Sequence, residues 1–188
     1  MAMKFRETFI PSVFVIEVES TVDSRGTFSR IYCKREFSEI GFSGVFVQIN
    51  QSYNLKKGTF RGFHYQISPQ LETKLIRCIS GSVMDIAVDV RKGSSTFLKH
   101  VAVELSSENG KMMLIPPGVA HGFVTLTDDA TLIYHHDQFY AAGNEQGIRS
   151  NDPLINFQLP VPVSIFSDRD LSHPLLAKSF VGIEVTKK

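Results

Sequence analysis

Hydrophobic and polar residues alternate along much of this chain, with the period of two that is typical of β-strands rather than the helical period of about 3.6. The clearest strand covers residues 83–90, which are rich in β-branched residues, and residues 97–105 alternate in the same way. Further strands are predicted at residues 13–18, 28–33, 45–49, 74–79, 112–115 and 131–135. One helix is predicted, at residues 34–40 before Gly41.

Turn-forming residues separate these strands at intervals of roughly 8–12 residues. They lie at residues 24–26, 57–58, 80–81, 109–110, 116–118 and 128–129. Many short strands at this spacing favour an all-β sandwich, jelly roll or barrel. Because prolines recur after residues 151–153, we expect a C-terminal segment from about residue 153 that wraps the barrel and includes a short helical turn.

The composition indicates one globular domain over residues 1–188. A chain of 188 residues with 43% hydrophobic residues can bury a core, but it is too short for two domains of ordinary size. The net charge of +1 comes from interleaved acids and bases, which argues against a nucleic-acid partner. Cys33 and Cys78 lie in apolar, strand-like segments, so we expect buried thiols rather than a disulfide framework.

No apolar run reaches the roughly 18–20 residues that a membrane-spanning helix needs. Residues 1–6 carry charges without a following apolar segment, so no signal peptide is predicted. The expected location is the cytoplasm, without a membrane partner.

A dense group of polar residues at positions 58–66 forms the first candidate site. Its glycines let the backbone come close to a ligand, and Arg61 can hold a phosphate or carboxylate through two hydrogen bonds. His64 lies three residues later, so the two side chains would lie on opposite faces of a strand unless a bulge intervenes. These residues alone leave open whether His64 is catalytic or structural.

A second candidate lies at residues 116–123, with the spacing Pro-x-Gly-x-x-His that ends at His121. This spacing resembles the second signature of the cupin superfamily. Metal-binding cupins also need a first signature with two histidines and a glutamate, whereas this chain has one histidine there and places Glu72 at a different spacing. His135 and His136 point to opposite faces of a strand, so at most one could join. We therefore expect no metal, because two histidines alone do not make a stable zinc or iron site.

Together, the motifs resemble the dTDP-4-dehydrorhamnose 3,5-epimerase family of sugar-nucleotide epimerases over about residues 11–174. The stretches that carry the resemblance are residues 23–26, 48–52, 58–66, 74–77, 87–91, 105–109, 115–123, 145–148 and 152–153. The resemblance implies an all-β, cupin-type jelly-roll β-barrel with a few short helices. It also implies a homodimer that can exchange an N-terminal strand, and no metal or other cofactor.

The chemistry that the resemblance implies is epimerisation beside a ketone. In a nucleotide-linked 4-keto-6-deoxyhexose, C3 and C5 both flank the C4 carbonyl. Inversion needs a base on one face, an acid on the other and a stabilised enolate oxygen. By resemblance, His64 is the base, Asp170 orients it and Tyr134 is the acid. Lys74, with Asn50, would stabilise the enolate oxygen.

The resemblance further implies a set of side chains that bind the nucleotide-diphosphate sugar. They are Arg61, Gln48 and Arg169 at the diphosphate, His121 near the sugar, Tyr140 on the nucleotide base, and Arg25 and Glu145 at further ligand contacts.

Arg30 departs from the family pattern, which commonly has a glutamate near the nucleotide base. A carboxylate can accept the N3–H of thymine, whereas an arginine can satisfy the acceptors of cytosine. If Arg30 touches the base, a CDP-linked substrate is favoured over a dTDP-linked one. Two further departures, Ser150 and Leu159, stand where tryptophans are common and are expected to affect packing. The sequence leaves open the nucleotide carrier and whether C3, C5 or both carbons are inverted.

Other functions stay open beside an epimerase of deoxysugar or O-antigen-type lipopolysaccharide synthesis. One is a 3,4-ketoisomerase acting on the same substrates, and another is a metal-dependent cupin dioxygenase. The third is a non-catalytic carbohydrate-binding cupin, against which the set His64, Asp170, Tyr134 and Lys74 argues.

Overall fold

The computed structural model describes residues 2–185 of the chain, which form short strands with two short α-helices between them. The first seven elements are β1 (Met3–Glu7), β2 (Phe14–Val18), β3 (Thr21–Asp23), β4 (Gly26–Phe28), α1 (Lys34–Glu39), β5 (Gln48–Asn54) and β6 (Phe60–Gln66). There follow β7 (Lys74–Ser80), β8 (Ser82–Asp89), β9 (His100–Ser106), β10 (Met112–Ile115), β11 (Val119–Thr125) and β12 (Ala130–His136). A 3-10 turn (Ala142–Asn144), β13 (Glu145–Gly147) and α2 (Asp168–Ser172) complete the order. Neither helix of this described part has the length and hydrophobicity to cross a bilayer.

The strands form two antiparallel sheets and a separate hairpin. One sheet has the order β1-β2-β10-β7-β12-β5, and the other has the order β13-β6-β11-β8-β9. The pairing of β2 with β10, and of β5 with β12, joins strands that are far apart in the chain. The hairpin β3–β4 pairs only with itself. The predicted all-β jelly-roll fold with a few short helices is therefore confirmed.

The main hydrophobic core lies between the two sheets. Ile76 and Leu132 of the first sheet belong to the same buried cluster as Ala87, Leu105 and Phe123 of the second, and each is at most 1% exposed. Fully burying a large apolar side chain contributes roughly 1.5–3 kcal/mol. This shared cluster is what holds the sheets face to face.

A second cluster covers the outer face of the five-stranded sheet. Phe157, Val163 and Phe166 of the C-terminal segment pack there against Phe60 and Val88. Backbone hydrogen bonds accompany this packing, since the N–H of Phe60 donates to the carbonyl of Ile165 at 3.0 Å. The segment thereby carries α2 to the edge of β6.

Two predicted strands are wrong in extent because aromatic packing takes the place of strand pairing. Only the first residue of segment 28–33 belongs to a strand, and Tyr32 packs on Phe37 of α1 with 4.9 Å between ring centroids. In segment 45–49 the strand starts only with the last two residues, since Phe46 joins the same aromatic cluster. Apolar residues in both segments therefore fill a small side core.

Two smaller expectations also change. Strand β9 begins at His100 instead of residue 97, because Leu98 adopts a φ of 61° within a turn. Cys78 is fully buried as expected, whereas Cys33 is half-buried and directly precedes α1.

A β-bulge in β6 determines where its polar side chains point. His64 pairs with His121, but Arg61 pairs with Phe123, so three steps along β6 match two steps along β11. The extra residue brings both Arg61 and His64 to the same pocket, which a regular strand would not allow. Gly62 lies in this bulge at a φ of 129°, and a Cβ there would come within 2.5 Å of the Cα of Gly122.

We expect Gly62→Ala to destabilise the fold more than Gly26→Ala. Gly26 has a similar φ of 121° but has no atom within 4 Å of the added Cβ, so both variants share backbone strain of roughly 1–3 kcal/mol. Only Gly62→Ala adds an overlap with neighbouring backbone, which costs about 1–3 kcal/mol more. Urea unfolding followed by circular dichroism measures both free energies, and equal losses would contradict the proposed close packing.

Candidate active site

A pocket with a volume of about 480 Å³ opens between the two sheets. Side chains from β5, β7 and β12 of one sheet and from β6 and β11 of the other line it, together with residues of β13 and α2. Phe123 belongs both to the core cluster and to the pocket lining. The pocket is therefore the polar continuation of the hydrophobic core.

His64 and Asp170 form a short contact at the pocket wall that joins β6 to α2. His64 Nε2 lies 2.6 Å from Asp170 Oδ1, and the N–H of Gly62 donates to Oδ2 at 3.3 Å. The Ser167 hydroxyl accepts from the N–H of Asp170 and so caps α2. Burial alone would raise the pKa of Asp170, but the hydrogen bond and charge of His64 hold that pKa below its ordinary value.

This geometry gives His64 one engaged and one available ring nitrogen. When Nε2–H is donated to the carboxylate, Nδ1 carries the lone pair, as assigned from the hydrogen-bond network. Nδ1 lies 4.0 Å from Glu145 Oε1, on the pocket wall. Such an imidazole can take up a proton, and Asp170 would stabilise the imidazolium that results.

Tyr134 lies on β12, where its ring is 6.0 Å from that of His121 and 6.3 Å from that of His136. Its hydroxyl is 3.0 Å from Ser52 Oγ, and either group can donate. Desolvation in the pocket raises the pKa of Tyr134 well above its ordinary value. The phenol therefore keeps its proton at neutral pH and can deliver it to a strong base.

Lys74 places an ammonium group in the same pocket, and its side chain is almost fully buried. Nζ is 3.0 Å from Glu72 Oε1 and 3.4 Å from the carbonyl oxygen of His64. The other carboxylate oxygen, Oε2, lies 2.7 Å from His136 Nδ1. Burial alone would raise the pKa of Glu72, but the hydrogen bond of His136 and the charge of Lys74 together hold that pKa below its ordinary value. The carboxylate therefore stays ionised.

His121 is paired with a carboxylate as well. Its Nε2 lies 2.7 Å from Oδ1 of Asp85, a residue that is fully buried in β8. Together with His64–Asp170 and His136–Glu72, this makes three imidazole–carboxylate pairs around one pocket. Each carboxylate fixes the orientation of its ring.

Arg61 and Arg169 of the pocket lining are exposed to solvent, and each is held by a hydrogen bond. Arg61 Nε donates to Asn54 Oδ1 at 2.8 Å, and Arg169 Nη2 donates to Glu145 at 2.5 Å. Fixed guanidinium groups of this kind suit phosphate oxygens, which they can bind through two hydrogen bonds.

Among the residues that the structure describes, His64, Asp170 and His173 form a group of potential metal ligands whose ligand atoms lie within 4.8 Å of one another. Two of these three residues already share the 2.6 Å hydrogen bond, and the ring of His173 packs 6.0 Å from that of His64. As it stands, the geometry of this group suits proton transfer.

Comparison with known proteins decides the family. Residues 7–178 match the sequence profile of the dTDP-4-dehydrorhamnose 3,5-epimerases. The chain belongs to this family. Within it, the chain is 42% identical over 171 residues to the dTDP-4-dehydrorhamnose 3,5-epimerase of Shigella flexneri. The aligned residues cover 90% of this chain and 94% of that protein.

Solved structures of epimerases agree with this membership. The Bacillus anthracis dTDP-4-dehydrorhamnose 3,5-epimerase with TDP and pyrophosphate bound is 38% identical, with a TM-score of 0.90 over 93% of this chain and 100% of that chain. A 3,5-epimerase from Legionella pneumophila in complex with dTDP-4-keto-L-rhamnose is 34% identical, with a TM-score of 0.90 over 99% of this chain and 100% of that chain. Like these relatives, the chain is an isomerase of the epimerase type.

The epimerase pocket brings together most of the side chains that the sequence predicts. The predicted residues that line it are His64, Tyr134, Asp170, Lys74, Gln48, Asn50, Arg61, His121, Tyr140, Glu145 and Arg169. Their chemical roles stay predictions, but their convergence from distant parts of the chain is what those roles require.

Two predicted residues lie apart from this chain's pocket. Arg25 is on the hairpin β3–β4 and pairs with Asp23 at 2.6 Å, while Arg30 pairs with Glu36 of α1 at 2.8 Å. The hairpin joins neither sheet, so its side chains do not reach the pocket of their own chain. Their assignment as ligand contacts stays a prediction.

Sequence reasoning gave no role to Ser52 and Asp85, and it weighed Glu72 and His136 only as metal ligands, although all four are hydrogen-bonded polar residues at the site. A signal existed for Asp85, because it interrupts the apolar residues of β8 at a buried position. Glu72 lies in a loop and follows no periodic pattern, so its burial could not be foreseen.

The pairing of Asp170 should make stability depend on pH. Its folded-state pKa is lower than that of an unfolded aspartate, so the native state binds fewer protons than the unfolded state. The resulting stabilisation is present at neutral pH and is lost as the pH falls below the ordinary aspartate range and through the lowered folded-state pKa. We therefore expect Asp170→Asn to flatten the decline of the urea midpoint between pH 6 and pH 3. Asp168→Asn on the exposed side of α2 is the control, and an unchanged slope in Asp170→Asn would refute this linkage.

Proposed function

We propose that this epimerase inverts C3 and C5 of a dTDP-linked 4-keto-6-deoxyhexose. The observation that carries the proposal is the convergence of His64–Asp170, Tyr134 and Lys74 on one pocket. The relatives named above support the substrate class, since their names specify 3,5-epimerases and two of their structures hold TDP with pyrophosphate or dTDP-4-keto-L-rhamnose.

The first half of the reaction is proton abstraction. His64 Nδ1 removes the proton from the carbon beside the ketone, and the electron pair of the C–H bond moves into an enolate whose charge rests on O4. Asp170 stabilises the imidazolium. Lys74, assisted by Asn50, stabilises the oxygen in surroundings with little water, where such a contact contributes several kcal/mol.

The second half is reprotonation from the opposite face. Tyr134 gives its phenolic proton to the carbanionic carbon, and the double bond of the enolate returns to the ketone. The hydroxyl of Ser52, 3.0 Å away, can donate to the phenolate that forms. Before the second carbon can react, the imidazolium of His64 must release its proton to solvent and the phenolate of Tyr134 must take one up. The sugar ring must then present that carbon to the same pair of groups.

Binding of the nucleotide diphosphate falls to the residues at the opening. We propose Arg61, Gln48 and Arg169 for the diphosphate, with Tyr140 stacking on the base. His121 and Glu145 lie deeper and would contact the sugar. Tyr140 is 53% exposed, which leaves its ring face available for stacking.

The thymidine carrier is preferred over cytidine. The related structures that hold TDP or dTDP-4-keto-L-rhamnose favour thymidine, and Arg30, which would favour cytosine, is paired with Glu36. Calorimetry with dTDP and CDP distinguishes the carriers, and tighter binding of CDP would restore the role of Arg30 at the base.

We also propose a homodimer. The hairpin β3–β4 exposes Val22 (72%) and Phe28 (68%), and the edge strand β5 exposes Ile49 (63%). Isolated hairpins are marginal in water, so this one is best explained by packing on a second copy. Such packing would carry Arg25 toward the partner's pocket. We further propose that residues 1–188 form a single epimerase domain and that the protein works in the cytoplasm.

Deuterium incorporation tests the reaction directly. Incubation of the enzyme with dTDP-4-keto-6-deoxyglucose in D₂O should place deuterium at C3 and at C5, as read by NMR. His64→Ala and Tyr134→Phe should each reduce incorporation by about 10²–10⁴-fold while the fold is kept, because each removes a proton-transfer group. His100→Ala and Tyr65→Phe make the same changes outside the pocket lining and should stay active.

Other outcomes identify the alternatives. A ketone moved from C4 to C3 would indicate a ketoisomerase, and binding without exchange would indicate a carbohydrate-binding protein. Loss of turnover on chelator treatment would indicate a metal-dependent reaction. Full activity of His64→Ala would overturn its assignment as the base.

A further inference from the structure

Glu72 is a buried carboxylate that the proposed reaction does not use. It lies in the loop before β7, its side chain is 8% exposed, and it lines the pocket. We propose that Glu72, held by His136, is a positioning residue that aims the ammonium group of Lys74 at the enolate oxygen. This inference rests on the proposed function, because that function gives Lys74 its role.

The hydrogen-bond capacity of Lys74 supports this role. An ammonium group has three N–H donors and no acceptor. One faces Glu72 Oε1 at 3.0 Å and a second faces the carbonyl oxygen of His64 at 3.4 Å. Two fixed acceptors define the direction of the third donor on an otherwise flexible stem. That third donor is the one available to a bound ketone.

Glu72 is itself held in place. Its Oε2 accepts from His136 Nδ1 at 2.7 Å, and the amide nitrogen of Asn50 lies 3.4 Å from His136 Nε2. This pattern fits a neutral imidazole that donates through Nδ1 and accepts through Nε2. The ring of Tyr134 stacks against that of His136 at an interplanar angle of 28°. One polar chain thus runs from β5 through β12 to the start of β7.

Charge supports the same role. A buried ammonium group is stable only with a counter-charge, and Glu72 is the carboxylate in contact with Lys74 Nζ among the described residues. A glutamine at this position would keep the shape and an oxygen acceptor but would remove the charge. Replacing Glu72 should therefore weaken a contact that forms only with the enolate, and so lower kcat while leaving ground-state binding nearly unchanged.

A double-mutant cycle tests this coupling. We expect Glu72→Gln to reduce kcat by roughly tenfold to hundredfold, which is less than the loss of a whole oxyanion donor, with KM changed by no more than about twofold. Glu72→Asp keeps the charge with a shorter reach and should be intermediate, which also provides a readout if Glu72→Gln folds poorly. Glu184→Gln is the matched control, because Glu184 forms an exposed pair with Lys92 at 2.5 Å and should leave kcat unchanged.

The background without the ammonium group gives the decisive result. In Lys74→Met, adding Glu72→Gln should have no further effect on kcat if Glu72 acts through Lys74. Additive losses, or full kcat in Glu72→Gln alone, would overturn the inference while the wild-type protein still epimerises. A wild-type protein that neither epimerises nor exchanges deuterium would overturn the proposed function as well. Circular dichroism and thermal unfolding of every variant confirm that the fold is kept.

Discussion

The hydrogen bond between His64 and Asp170 joins a central strand to the last helix of the described chain, across 106 positions of sequence. A nearly buried carboxylate must be paired, and this one is satisfied by an imidazole and a backbone N–H. Those partners exist only when the C-terminal segment lies on the outer face of the five-stranded sheet. Packing of the C-terminal segment therefore also orients the ring of His64.

Much of the fold follows from the sequence because its strands bury one face and alternate accordingly. Segments 74–79, 83–90, 112–115 and 131–135 all correspond to observed strands within about one residue. The strands β6 and β11 were harder to foresee, since nearly all their residues are buried and no alternation remains. The strand predicted at residues 28–33 was wrong for a different reason. Its apolar residues pack on a helix and do not pair with another strand.

The site divides in a similar way. Residue chemistry alone left His64 ambiguous, and the combination of motifs supplied the roles that the pocket now brings together. From the sequence, a bulge in β6 could be stated only as the condition under which Arg61 and His64 share a face. Whether it occurs depends on the register with the neighbouring strand. Glu72 and Asp85 escaped because their importance comes from a partner on another strand. Arg25 and Arg30 lie outside the pocket lining, so their assignment as ligand contacts stays a prediction.

The order of elements along the chain has a consequence for biosynthesis. Both sheets are encoded before residue 148, whereas the carboxylate that pairs with His64 arrives with α2 at Asp168–Ser172. A nascent polypeptide emerging from the ribosome could assemble the barrel and bind through Arg61 before its imidazole had a partner. The hydrogen bond between His64 and Asp170 would then be among the last contacts of the site to form, after the strands that hold the other residues of the pocket.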